Sequence, residues 1–170
     1  LTGGGVVDSS ALIFGNGSMP ATGTFTLKSG GYVGSEAVPY GGSTAVGGLT
    51  PMDTFLGRVA IGTSGVMVGV DVAPGGQLVA VNGTVDFTKL QNFSSVPSPL
   101  VFLGTASQAV FTGPITLPSG QSTYRFGAYK GGQLTISTTL SSGSVQIGDA
   151  FTTAYHGNPA NPSALSSVTL

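Results

Sequence analysis

A chain of 170 residues is long enough for one domain with a buried core, yet only 6% of it is charged and its net charge is −1, where about a quarter charged is usual. The five cations, Lys28, Arg58, Lys89, Arg125 and Lys130, are too few and too scattered to attract nucleic acid, and the lack of Cys removes disulfides and thiolate metal sites. No apolar run approaches the roughly 18 residues of a membrane span and no signal peptide is visible, so a chain with 29 Gly must meet water through hydroxyls, amides and backbone.

Residues 1–33 set the theme. Ala11-Leu12-Ile13-Phe14 runs into Gly15-Asn16-Gly17, and Thr24 to Lys28 alternates before Ser29-Gly30-Gly31. Each is a strand stopped by residues that tolerate positive φ. Residues 34–49 show no sustained period and read as a loop. Thr50-Pro51-Met52-Asp53 then offers an N-cap hydroxyl, a Pro at the first helical position and an acid in the first turn. Met52, Phe55, Leu56 and Val59 follow at helical spacing, predicting a short helix over 51–60 with that face against the sheet body.

From Val66 the strands resume. Val66 to Val72 is almost continuously apolar, as suits a strand buried on both faces. Pro74-Gly75-Gly76 turns it, Leu78 to Val81 returns, Asn82-Gly83 makes a hairpin or corner, and Val85-Asp86-Phe87 alternates. Residues 88–98 are irregular. Leu100 to Leu103 then opens the most regular stretch, with runs at 109–112, 115–117, 123–127, 133–137 and 144–148. Pro118-Ser119-Gly120, Lys130-Gly131-Gly132 and Ser141-Ser142-Gly143 separate the later runs. Residues 157–162 read as a Pro-rich loop and 165–170 as a last strand. The ends, Leu1 and Val168-Thr169-Leu170, look cut from something longer.

Apolar residues gathered in periodic clusters argue against disorder, despite the Gly and Pro content. Short strands without intervening helices predict a single all-β domain over 1–170: first strands at 1–33, loop and helix at 34–60, a regular region at 61–148, and loop plus terminal strand at 149–170. Two architectures fit. In a β-solenoid the chain coils and Gly or Asn occupy the corners. In an antiparallel β-sandwich the turns are hairpins. The very short strands favour the solenoid, as do two repeats at 23 residues: Leu100–Gly104 against Thr123–Gly127, and Phe111 against Leu134.

The segments VDVAPGGQLVAVNGTVDF, FLGTASQAVFTGPITLPSGQSTYRFGAYKGGQLTIS and LSSGSVQIGD, within residues 65–150, resemble the Gly-rich autotransporter-associated β-strand repeats of bacterial surface and secreted proteins. The resemblance implies a right-handed parallel β-helix at the cell surface, serving as adhesin, coat or fibre. It carries no catalytic motif, so no functional residue comes with it.

Candidate chemistry is sparse. The acids are Asp8, Glu36, Asp53, Asp71, Asp86 and Asp149, and none pairs with another on one element as a general acid and base. Asp71 and Asp86 flank the Asn82-Gly83 corner, and only tertiary proximity would bring them together. His156 is the only His, which excludes a His-rich metal site within one chain, and no nucleophile elbow or phosphate loop is present. No catalytic, cofactor-binding or metal-binding residue is assigned, and no cofactor is expected. Asn16, Asn82 and Asn92 stand in glycosylation triplets.

Three functions compete. The first is an extracellular structural protein: a β-solenoid unit of a surface layer, adhesin or self-assembling filament, whose partners are copies of itself or flanking parts of a longer chain. Low charge removes the repulsion that would resist stacking. The second is a carbohydrate-binding module with Tyr32, Tyr40, Tyr124, Tyr129 and Tyr155 on a Thr/Ser/Asn face, holding polysaccharide by stacking; its threonines would even suit ice. The third is a polysaccharide lyase or hydrolase, which so few charges disfavour.

Overall fold

The computed structural model describes residues 5–8, 10–15, 22–38, 48–49, 55–72, 79–148 and 167–170. Sixteen strands appear among them. In chain order they are β1 (Gly5–Val7), β2 (Ala11–Phe14), β3 (Phe25–Leu27), β4 (Tyr32–Val38), β5 (Gly48–Leu49), β6 (Val59–Ile61), β7 (Val66–Asp71) and β8 (Val79–Val81). There follow β9 (Val85–Asp86), β10 (Val101–Gly104), β11 (Gln108–Phe111), β12 (Ile115–Thr116), β13 (Thr123–Phe126), β14 (Gln133–Ile136), β15 (Ser144–Ile147) and β16 (Ser167–Thr169). The protein is all-β.

Every strand pair is parallel except β4 with β5. The turns between neighbouring strands are therefore corners, and the hairpins of an antiparallel sandwich are not what joins them. The chain enters the largest sheet six times, giving the spatial order β15-β13-β10-β7-β4-β2, with β5 beside β4. Between visits it supplies β1-β3-β6, β8-β11-β14-β16 and β9-β12 to three smaller sheets.

Parallel register stacks equivalent residues into rows. One row runs Leu12, Val33, Val68, Leu103, Phe126, Ile147 across all six strands. Val7, Leu27 and Ile61 form a second on the three-stranded sheet, and Val81, Phe111 and Ile136 a third on the four-stranded sheet. Most of these side chains, with Val85 and Phe87, belong to one buried cluster. At roughly 1.5–3 kcal/mol for each fully buried aliphatic or aromatic side chain, these rows are the main source of stability.

Several expectations hold. β7 is buried at all six positions, and the later strands fall on the predicted runs. Gly30, Gly120, Gly131 and Gly143 have φ of 78°, 80°, 92° and 116°, so these four predicted turns use a glycine in the left-handed region; the Asn82-Gly83 corner does not, and the turns at 15–17 and 74–76 reach outside the described residues. The 23-residue spacing pairs Leu103 with Phe126.

Others are corrected. Phe111 pairs with Ile136, and Leu134 pairs with Ala109, so that repeat is 25 residues and not 23; the corner before β14 holds two more residues. The helix predicted over 51–60 is helical only at Phe55 and Leu56 among the described residues, because Val59–Ile61 is β6. Pairing with β3 and a bridge from Ala60 to Gln91 outweigh a weak local helix preference. Phe55, Leu56 and Val59 are nonetheless buried, so the stripe is core. Positions 51–54, with Met52, lie outside the described residues. The loop assigned to 34–49 is strand at both ends: Gly34 to Glu36 continue β4 in register with β7, and Ala37 and Val38 pair with Leu49 and Gly48 of β5.

The outer side of the large sheet carries a row of glycines. Gly34 pairs with Gly69, and Gly69 with Gly104; Gly127 and Gly148 follow Phe126 and Ile147 in the same order. A Cβ on Gly69 would stand 1.7 Å from the Tyr32 hydroxyl, and one on Gly104 2.1 Å from the Met67 sulfur. Tyr32 and Met67 therefore lie flat over the glycines. Replacing Gly69 by Ala should cost about 3 kcal/mol or abolish folding, whereas Gly148→Ala, with nothing within 4 Å of its new carbon, should stay within about 0.5 kcal/mol of the parent; urea denaturation of both measures the contrast.

Candidate functional site

The sheet's outer face carries a second, smaller cluster of Tyr32, Met67, Phe102 and Tyr129, with Ala106 against it. Tyr32, Met67 and Phe102 are in register, and the Tyr32 and Tyr129 rings stack with centroids 4.9 Å apart. At the end of β7, Asp71 closes this cluster.

Asp71 is 1% exposed. Its Oδ2 accepts from the Tyr32 hydroxyl at 2.6 Å. Its Oδ1 accepts from the Ala106 amide at 2.8 Å and the Thr105 hydroxyl at 3.1 Å. Thr105 also accepts from the Ser107 amide and pairs with the Ser107 hydroxyl, which in turn accepts from the Val72 amide at 2.9 Å. The carboxylate thus ties β4 and β7 to the corner between β10 and β11.

Burial pushes the Asp71 carboxyl above its ordinary pKa; the Tyr32, Ala106, Thr105 and Ser107 donors pull the other way without cancelling the effect. Burial first, then the neighbouring carboxylate, holds the Tyr32 phenol well above its usual range, so Tyr32 remains the donor. A displaced carboxyl beside hydroxyls is a combination that often marks catalysis. Here Tyr32 and Thr105 are fully buried with Asp71, and the hydrogen bonds found run between strands and a turn. The cluster's chemistry is that of a cross-link.

Asp71 and Asp86 are not joined. Asp86 Oδ1 accepts from the Thr88 amide and hydroxyl at 3.0 and 2.6 Å, capping the 3-10 turn Phe87–Lys89, and its Oδ2 lies 4.0 Å from Lys89. Asp8 is exposed and Glu36 half-buried in β4. Asp53, Asp149, His156 and Asn16 lie outside the described residues; Asn82 and Asn92 are exposed. Among the described residues no three of His, Cys, Asp and Glu gather as metal ligands.

The tyrosine face is corrected. Tyr32, Tyr124 and Tyr129 are buried at 0%, 5% and 4% exposure, so they are core side chains and no sugar can stack on them; Tyr40 and Tyr155 lie outside the described residues. Glycines leave room for the Tyr32 ring to lie down, Tyr129 stacks on it, and Tyr124 joins the main cluster beside Phe126. A signal existed: Gly34, Gly69 and Gly104 recur every 35 residues, each after Val or Leu.

An open cavity of about 500 Å³ lies on another flank, where Thr88, Asn92, Phe93 and Ser94 face Pro118 and Ser119. No charged side chain lines it.

A comparison with protein-family models, with curated proteins and with solved structures finds no match to this chain.

Removing the carboxylate by Asp71→Ala strands the Tyr32 hydroxyl and leaves the Ala106 amide and Thr105 hydroxyl with only their second partners, the Tyr32 and Ser107 oxygens, and should cost about 2–4 kcal/mol. Because Asp71 binds its proton more tightly folded than unfolded, it adds stability in acid and loses that contribution as pH climbs from the ordinary carboxylate value of about 3.9 through its raised value. Thermal melts across pH should therefore show the parent losing ground to Asp71→Asn over that window; parallel profiles would refute the burial argument.

Proposed function

We propose that this chain is a structural segment, a β-solenoid unit of an extracellular surface layer, adhesin or self-assembling fibre. One observation carries the reading. The chain returns to the large sheet six times, each time parallel and in register, at intervals of 21 to 35 residues along the six-membered row, and leaves strands in smaller parallel sheets between visits. A coil with such rows grows by adding equivalent turns, and its stability accumulates from neighbour to neighbour. A parallel crossover of this kind is right-handed in nearly all proteins, which agrees with the resemblance to autotransporter-associated repeats.

The polar chemistry supports the same reading. Asp71, the best-connected acid, is spent on a sealed cross-link, and Asp86 on a turn. A charge-poor surface places little repulsion between copies. The resemblance to surface-protein repeats supports a cell-surface location, and the protein's partners are copies of itself or flanking parts of a longer chain.

The uncharged cavity beside Asn92 and Ser119 favours a second reading, an adhesive module for neutral polysaccharide, since hydroxyl and amide side chains around Phe93 suit a sugar.

Negative-stain electron microscopy at near-neutral pH should show regular filaments or sheets. Discrete particles, together with binding on a glycan array, would replace the first reading by the second.

A further inference from the structure

Among the described residues β15 and β2 are the edge strands of the large sheet, and their surfaces fit each other. At β15 the Ser144 amide donates to Ser122 O at 2.9 Å and the Gly148 amide to Phe126 O at 3.1 Å. In a parallel ladder successive residues turn their N–H and C=O to opposite sides. Ser144, Gln146 and Gly148 thus bond to β13, and Val145 and Ile147 point their backbone groups away from it. At β2 the Tyr32 amide donates to Ser10 O at 2.9 Å. By the same alternation Leu12 faces β4, and Ala11 and Ile13 face away.

The side chains agree with the backbone. Val145 and Ile147 are 41% and 50% exposed, although Tyr124 and Phe126, their partners in register, are buried. Leu12 is half-buried and Ile13 is 41% exposed. Neither strand carries the charges or proline with which edge strands are usually protected.

We propose that a second copy of this chain adds its β2 to β15, parallel and in register, with its Leu12 beside Ile147. This rests on the scaffold reading above and names its contact surface. The register continues the apolar row and sets Ile13 against Gly148, the one glycine of the outer row with nothing over it. Ile13 already stands beside a glycine in this way within the chain, in register with Gly34. The contact is heterologous and does not close, so it propagates as a filament.

Ile147→Pro and Ile13→Pro each remove one N–H that faces the free edge, a position where proline is tolerated. Each variant alone should stay monomeric by light scattering. Their equimolar mixture should give a dimer of twice the mass and no filament, because only one competent pair of edges remains. Ile147→Lys and Ile13→Lys repeat the test should a proline variant lose the parent's circular dichroism. Filaments formed by both variants, a monomeric mixture, or dimers of one variant alone would each overturn this interface while leaving the scaffold reading in place. A parent chain that forms no assembly at all would overturn both.

Discussion

Parallel pairing in register forces like onto like. Once β4, β7 and β10 align, each residue has its equivalents directly above and below, and a side chain is acceptable only if the whole row accepts it. On the inner side this selects Val, Leu and Phe. On the outer side it selects glycine, since Tyr32 occupies the space that a Cβ on Gly34 or Gly69 would need. The glycines weaken the strands they sit in, and the rings and thioether laid over them recover buried area that a flat sheet face would leave in water. The second cluster exists because of that exchange.

Asp71 is a consequence of the same geometry. A ring lying along the sheet brings its hydroxyl to the strand's end, where it needs an acceptor. A carboxylate out of water is unfavourable by several kcal/mol unless well bonded, and three donors meet it, one from β4 and two from the corner after β10. What distinguishes this arrangement from an apolar filling is direction. Packing alone would tolerate a corner displaced by a fraction of an ångström; hydrogen bonds of 2.6 to 3.1 Å do not. Asp71 therefore fixes where residues 105–107 turn, and Tyr129, whose amide donates to Thr105 O, fixes the next corner against it.

Much of the fold was legible because alternation and Gly-bearing turns are local signals. β13, β14 and β15 can be read from four residues each, and the double burial of β7 from its unbroken apolar run. What escaped depends on partners distant in the chain. Ser35 and Glu36 are strand because Val70 and Asp71 lie beside them, and nothing in GSEAV says so. Val59 satisfies a helical spacing as well as it satisfies β3, and the choice is made by Phe25 and Gln91. The tyrosines looked like surface groups because their burial depends on distant partners: Tyr32 on Gly69, and Tyr129 on the Tyr32 ring. The site was legible only as a list of acids: Asp71 could be named, but its donors at 105–107 could not.

The cross-link also divides the molecule mechanically. Tyr32, Asp71 and Thr105 bind β4, β7 and the end of β10 across separations of 34 to 39 residues, while β13 and β15 are joined by backbone pairing and by exposed side-chain contacts such as Arg125 to Gln146. A pull along the stacking direction meets a soft end and a stiff middle. Under load the strand at the β15 end peels first, while the block spanning Tyr32 to Ser107 extends as one piece, so the protein gives way in steps rather than all at once.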